Sequence, residues 1–229
     1  MWRPTNGYFY VLGGTGSQQT FFQWGQSGDV PIAGDFDGDG KTDFSVYRQT
    51  NGVWWVTRSS DNTYYAVQFG QSCTPPTGCD IPVVADFDGD GKADITVWRN
   101  SNTTFYTIRS SDATLQTSTF GTTGATPVPA DYDGDGKADY ALKSGTNWII
   151  LNSASCNSAT SCNPVTISWQ LSSDIPVPND YDGDGKVDIA VWRDATGDWL
   201  IRKSGSNGAL RQDHWGQTGD IPVPAFYRR

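Results

Sequence analysis

The nine-residue loop Asp-x-Asp-Gly-Asp-Gly-Lys-x-Asp occurs four times in this chain, at 35–43, 86–94, 131–139 and 180–188. The starts lie 51, 45 and 49 residues apart. A recurrence at this period marks equivalent supersecondary units, none able to bury its apolar face alone, so the chain must stack them as propeller blades or a solenoid.

The loop also carries chemistry. Calcium takes six to eight oxygen ligands in flexible geometry, and carboxylates at alternate positions of a tight curl converge on one point. In the first loop these are Asp35, Asp37 and Asp39, with the Lys41 carbonyl as a further oxygen and Asp43 closing the site. The same roles fall on Asp86, Asp88, Asp90, Lys92 and Asp94 in the second loop. They fall on Asp131, Asp133, Asp135, Lys137 and Asp139 in the third, and on Asp180, Asp182, Asp184, Lys186 and Asp188 in the fourth. Four carboxylates within nine residues repel one another without a cation, which argues against a plain Asp-Gly turn. Four Ca²⁺ sites are therefore expected; magnesium, which demands strict octahedral geometry, suits the loop less well. An EF-hand needs Glu at its twelfth position, whereas this chain has no Glu and places Val46, Val97, Leu142 and Val191 there.

After each loop comes FSVYR, ITVWR, YALKS or IAVWR, and then a second aromatic run, VWWVTR (53–58), TFYTIR (104–109), NWIILN (147–152) or DWLIRK (198–203). These β-branched and aromatic runs read as strands, and helical signals are absent. Before each loop stand an aromatic-Gly or aromatic-polar pair and a proline-containing strand: Trp24-Gly25, Phe69-Gly70, Phe120-Gly121 and Trp169-Gln170, followed by VPIAG, IPVVA, TPVPA and IPVPN. Four short strands per unit is the makeup of a propeller blade.

Aromatic-Gly, a short spacer, Gly-x-x-Pro and a calcium loop is the pattern of FG-GAP repeats, and the chain resembles that family, known from integrin α-chain propellers and the related bacterial VCBS repeats. Phe120-Gly121 with Gly124-Ala125-Thr126-Pro127 carries the resemblance most closely. Two departures stand out: Trp169-Gln170 replaces aromatic-Gly, and Lys143 stands where other units have an aromatic residue.

The ends supply a fifth, split unit. Residues 214–225 set up a fifth loop, but Phe226-Tyr227-Arg228 follows at once, while Met1–Tyr10 reads as the later part of a unit. The expectation is an all-β protein, a β-propeller of four-stranded blades, five in number, with the last closed by both termini so that no strand edge is left open. The blades would span 30–70, 81–121, 126–170, 175–216, and 221–229 plus 1–25, within a single domain, 1–229. The rival is an excerpt of a larger ring of six to eight blades.

All 25 acidic residues are Asp and 16 of them lie in the loops, so the formal charge of −9 mostly describes empty metal sites. No Lys/Arg run suggests nucleic acid, and no apolar stretch approaches a membrane span. Met1 runs straight into repeat sequence, so any leader is expected to have been removed. The matched spacing of Cys73 and Cys79, and of Cys156 and Cys162, favours two local disulfides over a zinc site that would lack histidine partners. Disulfides with calcium loops suggest a secreted, cell-surface or periplasmic protein.

The ten tryptophans are mostly repeat-equivalent, which favours packing between blades over ligand binding: Trp24 with Trp169 and Trp215, Trp98 with Trp192, and Trp55, Trp148 and Trp199 on similar strands. Tyr64 and Tyr65 are better ligand candidates. The recurring arginines Arg48, Arg99 and Arg193, with Arg3 and Arg228 at the seam, suggest an ion pair or stacking on a ring in each blade. With one histidine, His214, and no Glu, no catalytic residue is assigned and no enzyme is expected. The expected function is a secreted, calcium-stabilised, non-catalytic binding or adhesion module, monomeric, with a protein or glycan ligand. A carbohydrate-binding lectin and an accessory domain of a larger secreted hydrolase are the alternatives.

Overall fold

The computed structural model describes residues 1–12, 19–73, 78–155 and 163–223. In chain order these form β1 (Trp2–Arg3), β2 (Tyr8–Leu12), β3 (Gln19–Gln23), β4 (Val30–Gly34), β5 (Asp43–Arg48), β6 (Val53–Thr57), β7 (Tyr64–Gln68), β8 (Ile81–Ala85), β9 (Asp94–Arg99) and β10 (Thr104–Ile108). There follow β11 (Leu115–Thr119), β12 (Thr126–Pro127), β13 (Tyr140–Ser144), β14 (Asn147–Leu151), β15 (Val165–Ser168), β16 (Ile175–Pro176), β17 (Ile189–Arg193), β18 (Asp198–Arg202) and β19 (Leu210–His214). A 3₁₀ turn at Ser153–Ser155 is the one helical element among the described residues, and no helix there is long and apolar enough to cross a membrane.

Four antiparallel sheets of four strands each, β4–β7, β8–β11, β12–β15 and β16–β19, are the first to fourth blades. The fifth blade is β1–β3 completed by Ile221, whose N–H donates to Trp2 O at 3.0 Å while Trp2 N–H donates to Ile221 O at 2.9 Å. The protein is thus an all-β, five-bladed propeller closed by both ends of the chain, as the split fifth unit implied. Phe226, Tyr227 and Arg228 lie outside the described residues.

The innermost strands of the first four blades line the central channel, and Pro31, Pro82, Pro127, Pro176 and Pro222 recur at the second position of the innermost segment in the five blades. A proline lacks an N–H and is tolerated where that side of the strand faces no partner. β12 and β16 are only two residues long because a second proline follows, Pro129 or Pro178. Pairing resumes beyond it at Ala130↔Asp139 and Asn179↔Asp188.

The core lies between blades. Ile32, Tyr47 and Trp54 pack with Ile95 and Val97 across the first interface, and Trp98 and Phe105 with Ala125 and Leu142 across the second. Trp148 and Ile150 meet Ile189 and Val191; Trp192 and Ile201 meet Met1 and Tyr10; Trp2 and Phe9 meet Val46 and Phe44. Among the described residues, each of the five interfaces holds one apolar cluster. Trp54, not Trp55, shares the register of Trp148 and Trp199: Tyr47 faces Trp54, Lys143 faces Trp148 and Trp192 faces Trp199. A slip of one residue changes the face of a strand; Trp54 is fully buried, and Trp55 instead lies under the Arg48 guanidinium at 5.7 Å.

Candidate metal centres

Each loop connects the innermost strand of a blade to the next strand. Gly38 and Gly40 take φ of +80° and +83°, a left-handed curl that a Cβ opposes, and the other loops repeat it. The curl turns backbone N–H groups inward. Asp35 accepts from Gly38 N at 2.7 Å and Gly40 N at 2.9 Å; Asp39 accepts from Lys41 N at 2.8 Å. Carboxylate oxygens of Asp35, Asp37 and Asp39 come within 4.8 Å of one another, as do those of Asp86, Asp88 and Asp90, and of Asp180, Asp182 and Asp184. In the third loop the trio is Asp131, Asp133 and Asp139, with Asp139 in place of Asp135.

The ninth-position aspartates have a second task that the motif alone does not disclose. Asp43, Asp94, Asp139 and Asp188 are buried, each at most 1% exposed. One oxygen accepts from the second loop residue, Phe36, Phe87, Tyr132 or Tyr181, at 2.8–3.0 Å. The other accepts from the N–H of Ser59, Ser110, Ser153 or Ser204 at 2.6 Å. Each thus clips its loop to the end of the blade's third strand. The sequence signal was a serine recurring just after that strand. Burial pushes Asp94 and Asp139 up to about 6 and raises Asp43 as well.

The lysines reach sideways. The Lys92 side chain covers Gly38 of the preceding loop, Lys137 covers Gly89 and Lys186 covers Gly134. Beside them Ala93, Ala138 and Val187 donate backbone N–H groups to the carbonyls of Asp35, Asp86 and Asp131 at 2.7–2.8 Å. The four loops therefore form one stitched arc at the mouth of a channel of about 930 Å³, interrupted at the fifth blade.

The residues fit a hard cation. All side-chain donors are carboxylate oxygens, the set that suits calcium and magnesium. In the fourth loop Asp182 Oδ1 is buried with no hydrogen-bond partner. Its counterparts Asp37 and Asp88 accept from the hydroxyls of Ser60 and Ser111 at 2.6 and 2.7 Å, and Gly205 stands where those serines would be. Burial and the neighbouring charges of Asp188 and Asp184 raise Asp182. An orphaned acceptor among like charges is a place that a divalent ion would satisfy.

Away from the loops, the blade arginines do both expected jobs. Arg48, Arg99, Arg193 and Arg3 pair with Asp29, Asp80, Asp174 and Asp220 at 2.8–3.0 Å. Arg99 and Arg3 also lie 4.5 Å over the Tyr106 and Tyr10 rings. The third blade has Ala125 and Ser144 in place of this pair. There Lys143 is buried in the aromatic slot, its Nζ donating to the carbonyls of Gly145, Leu171 and Ser172 at 2.9–3.3 Å, and burial lowers its pKa. His214 is exposed, 3.3 Å from Asp198, and Tyr64 is 64% exposed beside Trp24. Cys73 and Cys79 form a disulfide, with Cα atoms 5.2 Å apart; Cys156 and Cys162 lie outside the described residues.

The FG-GAP-like repeat family matches residues 35–97 and 86–142. No curated protein matches the chain. Among solved structures, an Agrocybe aegerita lectin that recognises non-reducing terminal N-acetylglucosamine aligns at 16% identity and TM-score 0.49, over 90% of this chain and 61% of its own. The catalytically inactive virginiamycin B lyase of Staphylococcus aureus, with quinupristin, aligns at 9% identity and TM-score 0.47, over 93% and 65%. The Swd1 β-propeller domain of Myceliophteria thermophila aligns at 8% identity and TM-score 0.45, over 95% and 86%. The chain spans less than two thirds of the length of the lectin and of the lyase.

Proposed function

Because this chain carries FG-GAP-like repeats on a five-bladed β-propeller, we propose that it is a calcium-stabilised, non-catalytic binding module that works outside the cytoplasm. The observation that carries the reading is the fourfold recurrence of an all-carboxylate trio at one place in each loop-bearing blade. Asp35, Asp86, Asp131 and Asp180 and their partners would hold Ca²⁺, with the Lys41, Lys92, Lys137 and Lys186 carbonyls as further oxygens. The bound ion supplies positive charge that neutralises each cluster. Gly38, Gly40 and their counterparts hold the loops curled, and the buried ninth aspartates fasten them to the sheets. Metal binding then adds to folding free energy. The Cys73–Cys79 disulfide supports an oxidising compartment.

The ligand is a protein or a glycan taken up by a monomer. Tyr64, exposed and 5.7 Å from Trp24 and 6.5 Å from Trp55 between ring centroids, favours the glycan form of this reading, since aromatic faces stack on sugars. The metal reading is tested by stripping the protein and titrating Ca²⁺ and Mg²⁺ while following thermal unfolding. Calcium is expected to raise the melting temperature by well over 5 °C and magnesium much less; an unchanged melting curve in excess chelator would overturn it. A glycan array probed with and without calcium tests the ligand class.

A further inference from the structure

Among the described residues an ion pair reaches Asp88, the third residue of the second loop, but not Asp37 of the first, where the exposed Lys41 instead places Nζ 3.7 Å from Asp39 Oδ2. Arg58 and Arg109 follow β6 and β10 at the same place in their blades, each donating its N–H to a threonine carbonyl, Thr63 at 2.8 Å or Thr114 at 3.0 Å. Their side chains then part. The Arg58 guanidinium lies over the Tyr65 ring at 5.0 Å. Arg109 turns instead onto the second loop, with Nε 3.4 Å from Asp88 Oδ2 and Nη1 3.3 Å from Asp112 Oδ2. The Asp88 side chain is only 1% exposed beneath it.

The cause is the residue on the outermost strand. Register sets Tyr65 opposite Val56 and Gln116 opposite Thr107, which are equivalent positions of the two blades. Tyr65 offers a ring face. Gln116 offers none, and its amide donates to Tyr140 Oη at 3.2 Å. An arginine without an aromatic platform takes the nearest carboxylates. Asp61 stands where Asp112 does, so the distal aspartate does not explain the difference. Asn152 and Lys203 hold the arginine's place in the other loop-bearing blades. Among the described residues, ion pairs reach Asp88 but neither Asp133 nor Asp182.

We infer that Arg109 is a built-in rival of the metal at the second loop, making it the weakest of the four sites, and that Gln116 in place of a tyrosine turns the arginine onto it. The inference rests on reading the loops as divalent-cation sites. An ion entering the second loop must either displace Arg109 from Asp88 or share that carboxylate with a like charge. At a partly screened surface this weakens binding by roughly tenfold.

The test is calorimetric titration of the metal-stripped chain with Ca²⁺, with circular dichroism confirming the fold of each variant. The native chain is expected to show three tight sites and a fourth weaker by about tenfold. Arg109→Gln should bring the fourth site into the tight class. Gln116→Tyr should do the same with the charge retained, and carries the test if the first variant does not fold. Tyr65→Gln should release Arg58 onto Asp37 and create a second weak site. Four indistinguishable sites in the native chain, or a weak site unmoved by both Arg109→Gln and Gln116→Tyr, would overturn the inference and leave the loops as metal sites. Absence of any calcium binding would instead overturn the reading on which it rests.

Discussion

Asp94 shows how much one residue can carry. Its two oxygens satisfy Phe87 N–H at 2.8 Å and Ser110 N–H at 2.6 Å, both enclosed by the blade. Asp94→Ala leaves both donors without a partner, and each such loss costs about 1–3 kcal/mol. The variant should lose about 2–4 kcal/mol of stability in denaturant titration, even in excess chelator. Asp90→Ala, at an exposed trio position, should cost less than half of that under the same conditions while still weakening metal binding. The same burial predicts a pH effect. Asp94 and Asp139 sit at about 6 in the fold, against about 3.9 in an unfolded chain. Between those values the metal-free fold binds protons that the unfolded chain does not. Its stability should therefore rise as pH falls from 6 to 4.5, and be lost again as pH rises through 6. The buried Met1 amine, lowered to about 6, acts with the opposite sign but only above that pH. The calcium-loaded form should show the reverse trend over 6 to 4.5, because protons compete with the ion for carboxylates. Denaturant midpoints at both pH values, with calcium and with chelator, check both signs.

At the level of the blade, the aromatic-Gly pair is a conformational requirement. Gly25, Gly70, Gly121 and Gly216 hold φ between +94° and +113° where the outermost strand turns toward the next blade. A Cβ on Gly121 would overlap Leu142 Cδ1, whereas one on Gly124, at φ +88°, would meet nothing within 4 Å. Gly121→Ala should therefore cost about 2–4 kcal/mol, backbone strain plus overpacking, and Gly124→Ala about 1–2 kcal/mol from strain alone. Thermal unfolding of the two variants separates the terms. Gln170, in place of the glycine in the fourth unit, adopts φ +58° and accepts from Arg193 at 3.3 Å. So the sequence departure keeps a positive φ but shifts it into the narrower left-handed region open to a side chain. What was legible in the sequence has the same character: loops, strand count and paired ends depend on local residue types repeated in order. What was not legible depends on a neighbour across a strand. Choosing Trp54 over Trp55 needed the register. The burial of Lys143 needed the carbonyls of the following turn, and the swing of Arg109 needed Gln116 on an adjacent strand. The ninth aspartates read as ligands from the motif, and their clip to a serine 14 or 16 residues onward emerged only once the third strand was in place.

For the whole molecule, a ring is only as closed as its seam. The four loops are stitched to one another by a backbone bond and a covering lysine, but the arc stops at the fifth blade, whose described residues include no such loop. Closure there rests on the two Trp2–Ile221 hydrogen bonds, the Arg3–Asp220 pair at 3.0 Å and the apolar cluster of Trp2, Phe9 and Val46 with Ile221. These contacts join opposite ends of the chain and so carry a high loop-closure entropy, while the other blades are covalently continuous. Local opening should therefore begin at the seam. Ile221→Pro removes the N–H given to Trp2 O and leaves the rest of the ring's sequence intact. Hydrogen exchange should then lose protection first at the amides of Trp2 and Tyr10. An opened seam exposes the edge of β1, which can pair with a second copy, so association should rise with protein concentration in light scattering. Calcium should not rescue the seam, because no loop adjoins the broken bond in its own blade. If Ile221→Pro lowered protection uniformly around the ring and calcium restored it, closure would reside in the metal arc and not in the clasp of the two termini.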